Sequence, residues 1–301
     1  MRQKNDAYCP DWRKLYHLRH RIYSNLHRLP YCGSLLSADV RNCSEITHDN
    51  YLSKCPSASS ENLDIARYAC DFFSIENPAA LPQIQKHKAL VIGYPVQFSN
   101  IPKILQDYIT THSDLWRGKK IFIIATMGLF SGDGAGILAR LLHQYGAKII
   151  GGLHLKMPDS ISDEKALKRS FPKNQQLIRL ADLKIQTAVQ NLKNGTPTQE
   201  GLGFFPHLAG LFGQRLYFYN KTKHYSNKLK INASKCIRCG KCVKLCPMQN
   251  IHFDSTQKQV AADAQCTMCY RCVSQCPTQA ITLLGKRVVE QCYLEKYLRN
   301  C

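Results

Sequence analysis

The sequence predicts two units joined end to end: a parallel α/β sheet covered by helices, then a small α+β module built around metal. Three observations carry this. Residues 85–195 alternate short apolar runs with helical patterns. A cysteine-rich unit is written twice, at 236–247 and 266–277. The chain of 301 residues, with 44% apolar side chains, is long enough for both units and apolar enough to bury a core.

The alternation begins with the strand 89-ALVIG, the loop 94-YPVQFSN and a helix, 101-IPKILQDYITTH, with Pro102 early in its first turn. Strand 120-KIFIIAT and loop 127-MGLFSGDGAG come next. The following helix, 136-GILARLLHQYG, carries Ile137, Leu138, Leu141 and Leu142 on one face and Gly146 at its end. After strand 148-KIIGG, a helix over about 172–193 sets Leu177, Ile178, Leu180, Leu183, Ile185, Val189 and Leu192 on a stripe and stops near Gly195. Strands separated by helices imply a parallel sheet with helices on both faces. In such sheets ligands bind at the carboxyl ends of the strands, where loops 94–100 and 127–135 lie.

The repeat is sharper still. In 236-CIRCGKCVKLCP and 266-CTMCYRCVSQCP every cysteine has a counterpart thirty residues on, as do Pro247, Val243 and Ile251. This is an internal duplication. A disulfide set needs neither the prolines nor the repeat, and paired zinc sites would not place a third cysteine at the same interval. The run is that of bacterial two-cluster ferredoxins, in which the fourth cysteine serves the other cluster. It predicts two [4Fe–4S] clusters with crossed ligands: Cys236, Cys239, Cys242 and Cys276 for the first, and Cys266, Cys269, Cys272 and Cys246 for the second. Segments 251-IHFDS and 259-QVAADA fit a hairpin between the halves, and Gly240 would let the backbone pass close to the first cluster.

With Tyr94-Pro95, Ile101-Pro102, 126-TMGLFSGDGAG, 157-MPDSISDEK, 212-FGQRLYFYNKTKHYS, the doubled cysteine run and 280-AITLLGK, residues 85–290 resemble the EFR1-type family of flavodoxin–ferredoxin fusions. The resemblance implies a flavodoxin-like domain, able to hold FMN, wired to two clusters. A flavin ring there would be stacked by Tyr94 and Phe98 and bonded at its edge by groups around Thr126, Gly128, Ser131 and Gly132. The structural alternative stays open: Tyr94 and Phe98 as core, Gly132 and Gly134 as a turn, Asp133 as a helix cap.

One departure puts FMN in doubt. A phosphate needs several backbone N–H groups curled by glycines at a helix N-terminus, yet the first 92 residues contain one glycine, Gly33. Its context, 31-YCGSLLS, follows no apolar strand, and residues 1–75 show no sustained period of 2 or 3.6. Five unpatterned cysteines fall there: Cys9, Cys32, Cys43, Cys55 and Cys70. Residues 1–80 are thus an atypical segment with three accounts: a divergent domain half without flavin, a disordered or partner-binding arm, or, the favoured one, a reading frame displaced upstream of about residue 80. The remaining divisions are a flavodoxin-like domain over 81–200, a basic and aromatic connector over 201–230, the two-cluster ferredoxin-like domain over 231–285 and a helical tail over 286–301.

Charge narrows the partners. The formal net charge is +20, and two clusters with their thiolates bring only about −4. No Asp or Glu falls between Glu200 and Asp254, a stretch that holds nine Lys and Arg among Phe204, Phe205, Phe212, Tyr217, Phe218, Tyr219 and Tyr225. The aromatics can simply pack a joint while the lysines face water. The stretch also leads into the first cluster, which suits docking of an acidic redox partner protein. Nucleic acid is not expected, and a basic amphipathic helix from 207 keeps a membrane surface open. No apolar run approaches the length of a transmembrane span and the first residues have no apolar leader core, so a cytoplasmic, reducing location is expected. Eleven histidines form no H-E-x-x-H pair, and no hydrolytic centre emerges. Cys292 and Cys301 read as tail thiols rather than catalysts. The expected function is one-electron transfer through two clusters, either coupled to a flavin or flavin-free.

Overall fold

The computed structural model describes residues 34–37, 71–130, 132–222, 225–256 and 259–292. Five strands make one parallel sheet: β1 (Ser34–Ser37), β2 (Asp71–Ser74), β3 (Ala89–Pro95), β4 (Lys120–Met127) and β5 (Lys148–Lys156). Their spatial order is β2-β1-β3-β4-β5, the flavodoxin-like order of a doubly wound sheet. The atypical segment therefore supplies two strands, one of them central. SLLS forms β1 between β2 and β3, where the sequence shows no strand. The rest of the segment, with its five cysteines, lies outside the described residues, and with it the three accounts of residues 1–80.

The helices are α1 (Ala80–Lys86), α2 (Lys103–Thr111), α3 (Gly134–Gln144) and α4 (Phe171–Lys193). Alternation along the strands explains why these read as unbroken apolar runs: both faces are buried. Leu90, Ile92, Ile121 and Ile123 pack with Ile84 of α1, Leu105 and Ile109 of α2 and Leu138 and Leu142 of α3. The intervening Val91, Phe122 and Ile124 face the other way, onto Ala181, Ile185 and Val189 of α4. The stripe of α4 is rotated from the one expected. Ala181, Ile185, Ala188 and Val189 are buried, while Leu180 and Leu183 are more than half exposed. Small alanines let the helix lie close to the sheet, which turns the leucines outward.

The connector forms α5 (Phe204–Gly210), a π-helical turn over Leu211–Arg215 and α6 (Leu216–Thr222). The cysteine module follows with β6 (Lys230–Ile231), α7 (Lys241–Leu245), the hairpin β7 (Ile251–Asp254) and β8 (Gln259–Ala262), α8 (Arg271–Gln275) and β9 (Ile281–Thr282). β6 pairs antiparallel with β9 and β7 with β8. The duplication is written in the backbone as well. Arg238 and Met268, Gly240 and Tyr270, and Gln249 and Gln279 are three pairs thirty residues apart, and all six residues have φ between 52° and 71°. Gly240 accordingly serves its left-handed conformation, at the start of α7, rather than a close approach: a Cβ there would meet nothing within 4 Å. Residues 286–292 of the expected helical tail are irregular, and the rest of it lies outside the described residues.

Three contacts lock the module to the sheet domain. Arg271 of α8 makes a bidentate ion pair with Glu76, just after β2, and the two side chains are 2% and 1% exposed. Asp163 accepts from the Tyr270 hydroxyl at 2.8 Å and from the amides of Leu283 at 2.6 Å and Leu284 at 3.0 Å. Ser162 and Ser274 share a hydroxyl hydrogen bond at 2.6 Å.

Candidate functional site

A cavity of about 200 Å³ opens at the carboxyl ends of β3, β4 and β5. It is smaller than the roughly 300–1,000 Å³ of pockets that swallow drug-sized ligands, so it suits a flat ring. Its walls come from the loops after the three strands, with Gln97, Phe98, Thr126, Gly128 and Asp159 among them, and from Phe218 of α6. The last wall is the second cysteine run itself: Met268, Cys269 and Tyr270.

Loop 95–100 is held in an unusual shape. Phe98 and Ser99 both lie in the left-handed region, at φ 49° and 59°, a strained pair for side chains of these types. The Phe98 ring meets Phe218 edge-on at 5.6 Å and Tyr225 at 4.9 Å. The Gln97 side-chain amide donates from Nε2 to the Met268 carbonyl at 3.3 Å. A carbonyl only accepts, so this bond fixes the amide's orientation, and Oε1 is left buried with no partner among the described residues. The backbone amide of Ile104 donates to Thr267 Oγ1 at 3.3 Å, a second tie across the same wall.

The structure divides the expected ring contacts. Phe98, Thr126 and Gly128 line the cavity. Tyr94 does not: it is fully buried and its hydroxyl donates to the Gly134 carbonyl. Burial, followed by the nearby Asp133 carboxylate, pushes its phenol well above the ordinary range. Gly132 does not either. Its φ is +63°, and a Cβ would come within 2.5 Å of the Gly210 backbone, so it is there to let α5 approach. Ser131 lies outside the described residues. Asp133 caps no helix with its side chain. Its fully buried carboxylate instead accepts from Arg140 at 2.6 Å, from His207 at 2.9 Å and from Arg215. Burial alone would raise this carboxyl, but the hydrogen bonds from His207, Arg140 and Arg215 outweigh it and hold the group below its usual range. The connector's aromatics are split: Phe218 and Tyr225 pack on Phe98, while Phe204, Phe205, Phe212 and Tyr217 are 60–80% exposed.

The eight repeat cysteines are brought together in two groups. One small cavity is lined by Cys236, Cys239, Cys242 and Cys276, the other by Cys246, Cys266, Cys269 and Cys272. These are the two crossed sets. Among the described residues no three or more His, Cys, Asp or Glu side chains converge on a single-ion site. Backbone amides point at the sulfurs in matching places: Asn250 to Cys246 at 3.3 Å and Ala280 to Cys276 at 3.2 Å, each four residues on. Met268 adds a bond to Cys266 at 3.3 Å. Burial, followed by neighbouring thiols, pushes Cys242 and Cys266 up to about 11, and Cys272 is pushed well up in the same way. Among the thiols acting on Cys272 is Cys242 of the other set, which places the two centres side by side. Cys292 is buried and accepts from Lys168 at 2.9 Å.

The sequence misses the clamp residues Glu76, Asp163 and Arg271, and the cavity residues Gln97, Asp159 and Tyr270. Only segment 157–165 carries a signal, as part of the resemblance.

A family model described as a 4Fe-4S dicluster domain matches residues 229–283. Solved structures with similar folds include the two-electron reduced flavodoxin of Megasphaera elsdenii, at 16% identity over 39% of this chain and 78% of that one, with a TM-score of 0.28. General stress protein 14 of Treponema denticola, in complex with FMN, is 14% identical over 54% and 99%, with a TM-score of 0.32. A Fusobacterium nucleatum flavodoxin bound to flavin mononucleotide is 14% identical over 54% and 96%, also at 0.32. A search of curated protein sequences returns no match. The C-terminal unit is thus an iron–sulfur domain with two [4Fe–4S] clusters, which supports electron transfer; no helix among the described residues is long and apolar enough to cross a membrane.

Proposed function

We propose that this chain is a one-electron relay between a flat redox ring, held at the carboxyl edge of the sheet, and an acidic partner protein. The order of the path is ring, second cluster, first cluster, partner. Cys236, Cys239, Cys242 and Cys276 hold the first cluster and Cys246, Cys266, Cys269 and Cys272 the second. One observation carries the reading: Cys269 and Tyr270 are wall to both the ring cavity and the second cluster's cavity. A ring in the first would be separated from the second cluster by a single layer of side chains.

The residues fit half of FMN. Phe98, Met127, Met157 and Met268 offer a ring apolar contact, Thr126 and Asp159 polar edges, and Gln97 Oε1 an acceptor for a ring N–H. The phosphate half has no counterpart among the described residues, and the sequence after β1 contains no glycine before Gly93. The bound ring would supply two-electron chemistry, and the chain's own residues hold it, exclude water and present Cys269 to it. The resemblance of residues 85–290 to the EFR1-type fusions rests on their shared motifs and supports this reading.

Flavin fluorescence titrations of the cluster-loaded protein test the reading, followed by laser photoreduction of the bound ring. Riboflavin and FMN should bind alike, within about threefold, because the sequence after β1 lacks the glycines that curl a loop around a phosphate. Cluster absorbance should then bleach at a rate independent of protein concentration. Bleaching that is only bimolecular, or no flavin binding at all, would overturn the ring-coupled relay and leave a flavin-free carrier.

A further inference from the structure

The two cysteine runs are copies, and one of them shows what this face of the module does. Four positions of the second run, Thr267, Met268, Arg271 and Ser274, bond the sheet domain. Thr267 accepts from Ile104, the Met268 carbonyl from Gln97, Arg271 pairs with Glu76 and Ser274 bonds Ser162. Thirty residues earlier the equivalents are Ile237, Arg238, Lys241 and Lys244, with Lys235 just before them in the same loop. All five are exposed, Ile237 by 62%, together with the cluster ligand Cys239. The first run thus turns to solvent the face with which the second run docks a redox domain.

The chemistry of the open face is that of an interface: an exposed apolar residue in a loop with four exposed cations and an exposed cluster ligand. Acids that could neutralise the ring are engaged elsewhere. None occurs between Glu200 and Asp254. On the adjoining hairpin, Asp263 faces His252 at 3.1 Å and Asp254 accepts from the Thr256 amide at 2.8 Å.

We propose that the loop Lys235–Lys244 is the docking face for an acidic one-electron carrier protein, the external counterpart of the internal joint made by the second run. This inference rests on the relay reading and gives it an exit. The carrier's acidic surface would be steered by Lys235, Arg238, Lys241 and Lys244, and Ile237 would meet the apolar edge around its redox centre. One electron leaves the reduced first cluster through the exposed Cys239 side and reduces the carrier; no bond is made or broken.

The test is stopped-flow electron transfer from the reduced, cluster-loaded protein to a small acidic ferredoxin, with the basic cytochrome c as an oppositely charged acceptor. The rate to the ferredoxin should fall at least tenfold from low to high salt, since exposed charges are screened. The combined Lys235→Glu, Arg238→Glu, Lys241→Glu, Lys244→Glu variant should lose at least tenfold at low salt, lose the salt dependence, and react faster with cytochrome c. The same charge change at the exposed Lys88, Lys148, Lys173 and Arg179 should slow the ferredoxin reaction less than threefold. Ile237→Glu should slow it at every salt concentration. Equal slowing by the two charge sets would overturn the docking face, because net charge alone would then explain the rates. Should the Glu set lose iron, the Gln set at the same positions gives the same comparison. A wild-type protein that holds no clusters would instead overturn the relay reading itself.

Discussion

Replacing Glu76 by Gln removes one charge from the most enclosed ion pair that joins the two units. Arg271 would remain, 2% exposed, with its fork aimed at an uncharged amide. Breaking a buried pair by removing one partner costs about 3–5 kcal/mol, because the remaining charge is neither solvated nor paired. Each kcal/mol moves the thermal midpoint of a domain this size by roughly 2–4 °C, so a fall of roughly 6–20 °C is expected. Arg271 also lines the cavity of the second cysteine set. An uncompensated guanidinium there favours the reduced, more negative cluster, so the second cluster's midpoint potential should rise while the first stays put. The assay is a thermal scan of cluster absorbance together with a redox titration followed by EPR. The Glu76→Leu, Arg271→Met double variant should recover most of the lost stability, since an apolar pair of similar volume often serves as well as a buried ion pair. A Glu76→Gln protein within roughly 2 °C of the parent, with both potentials unchanged, would show that the pair neither clamps the module nor touches the cluster.

Two further outcomes follow from the same joint and the same sulfurs. An added Cβ at Gly285 would lie 2.0 Å from the Asp163 carbonyl oxygen, which is backbone and cannot step aside, so Gly285→Ala should cost roughly 1–3 kcal/mol by overpacking. Gly213→Ala, with nothing within 4 Å of its added carbon, should cost little, and paired thermal scans compare them. Cluster assembly should also take up base. With Cys242 and Cys266 pushed up to about 11 by burial and Cys272 also pushed well up, these three thiols of the metal-free protein are protonated at neutral pH. Iron takes thiolates, so loading should release about one proton per ligating thiol, and iron affinity should climb as pH rises toward the thiol range. Calorimetry in buffers of different ionisation enthalpy reads the release directly; loading without proton release would contradict the burial of these thiols.

Much of the molecule is legible in the sequence where one strong physical demand acts alone. Eight thiols at fixed intervals have few purposes, and the crossed grouping is the one that the two-cluster ferredoxin pattern implies. Strands buried on both faces, such as 120-KIFIIAT, must be apolar throughout and announce themselves. Strands β1 and β2 do not, because SLLS and DFFS are four residues each and show no period. Tyr94 looks like a ring contact because it begins a loop at the right edge of the sheet, but strand β3 runs to Pro95 and carries it into the core. Gly132 reads as a flexible turn until the backbone of Gly210 is seen against it. Leu180 and Leu183 satisfy a helical stripe that the alanines of the neighbouring face win by allowing closer approach. The clamp is invisible for a different reason: Glu76 and Arg271 are 195 residues apart, and nothing local marks either as half of a pair.

The central claim is that two clusters sit in crossed cysteine sets with the second against the ring cavity. Iron and acid-labile sulfide on anaerobically isolated protein, with EPR of the reduced sample, test it most directly. The account predicts about eight iron and eight sulfide per chain and the broadened spectrum of two interacting [4Fe–4S] centres. Replacing Cys269 by Ser should alter only the cluster whose potential responds to the ring. About four iron or fewer in folded protein, or a spectrum of isolated single-iron sites, would contradict it.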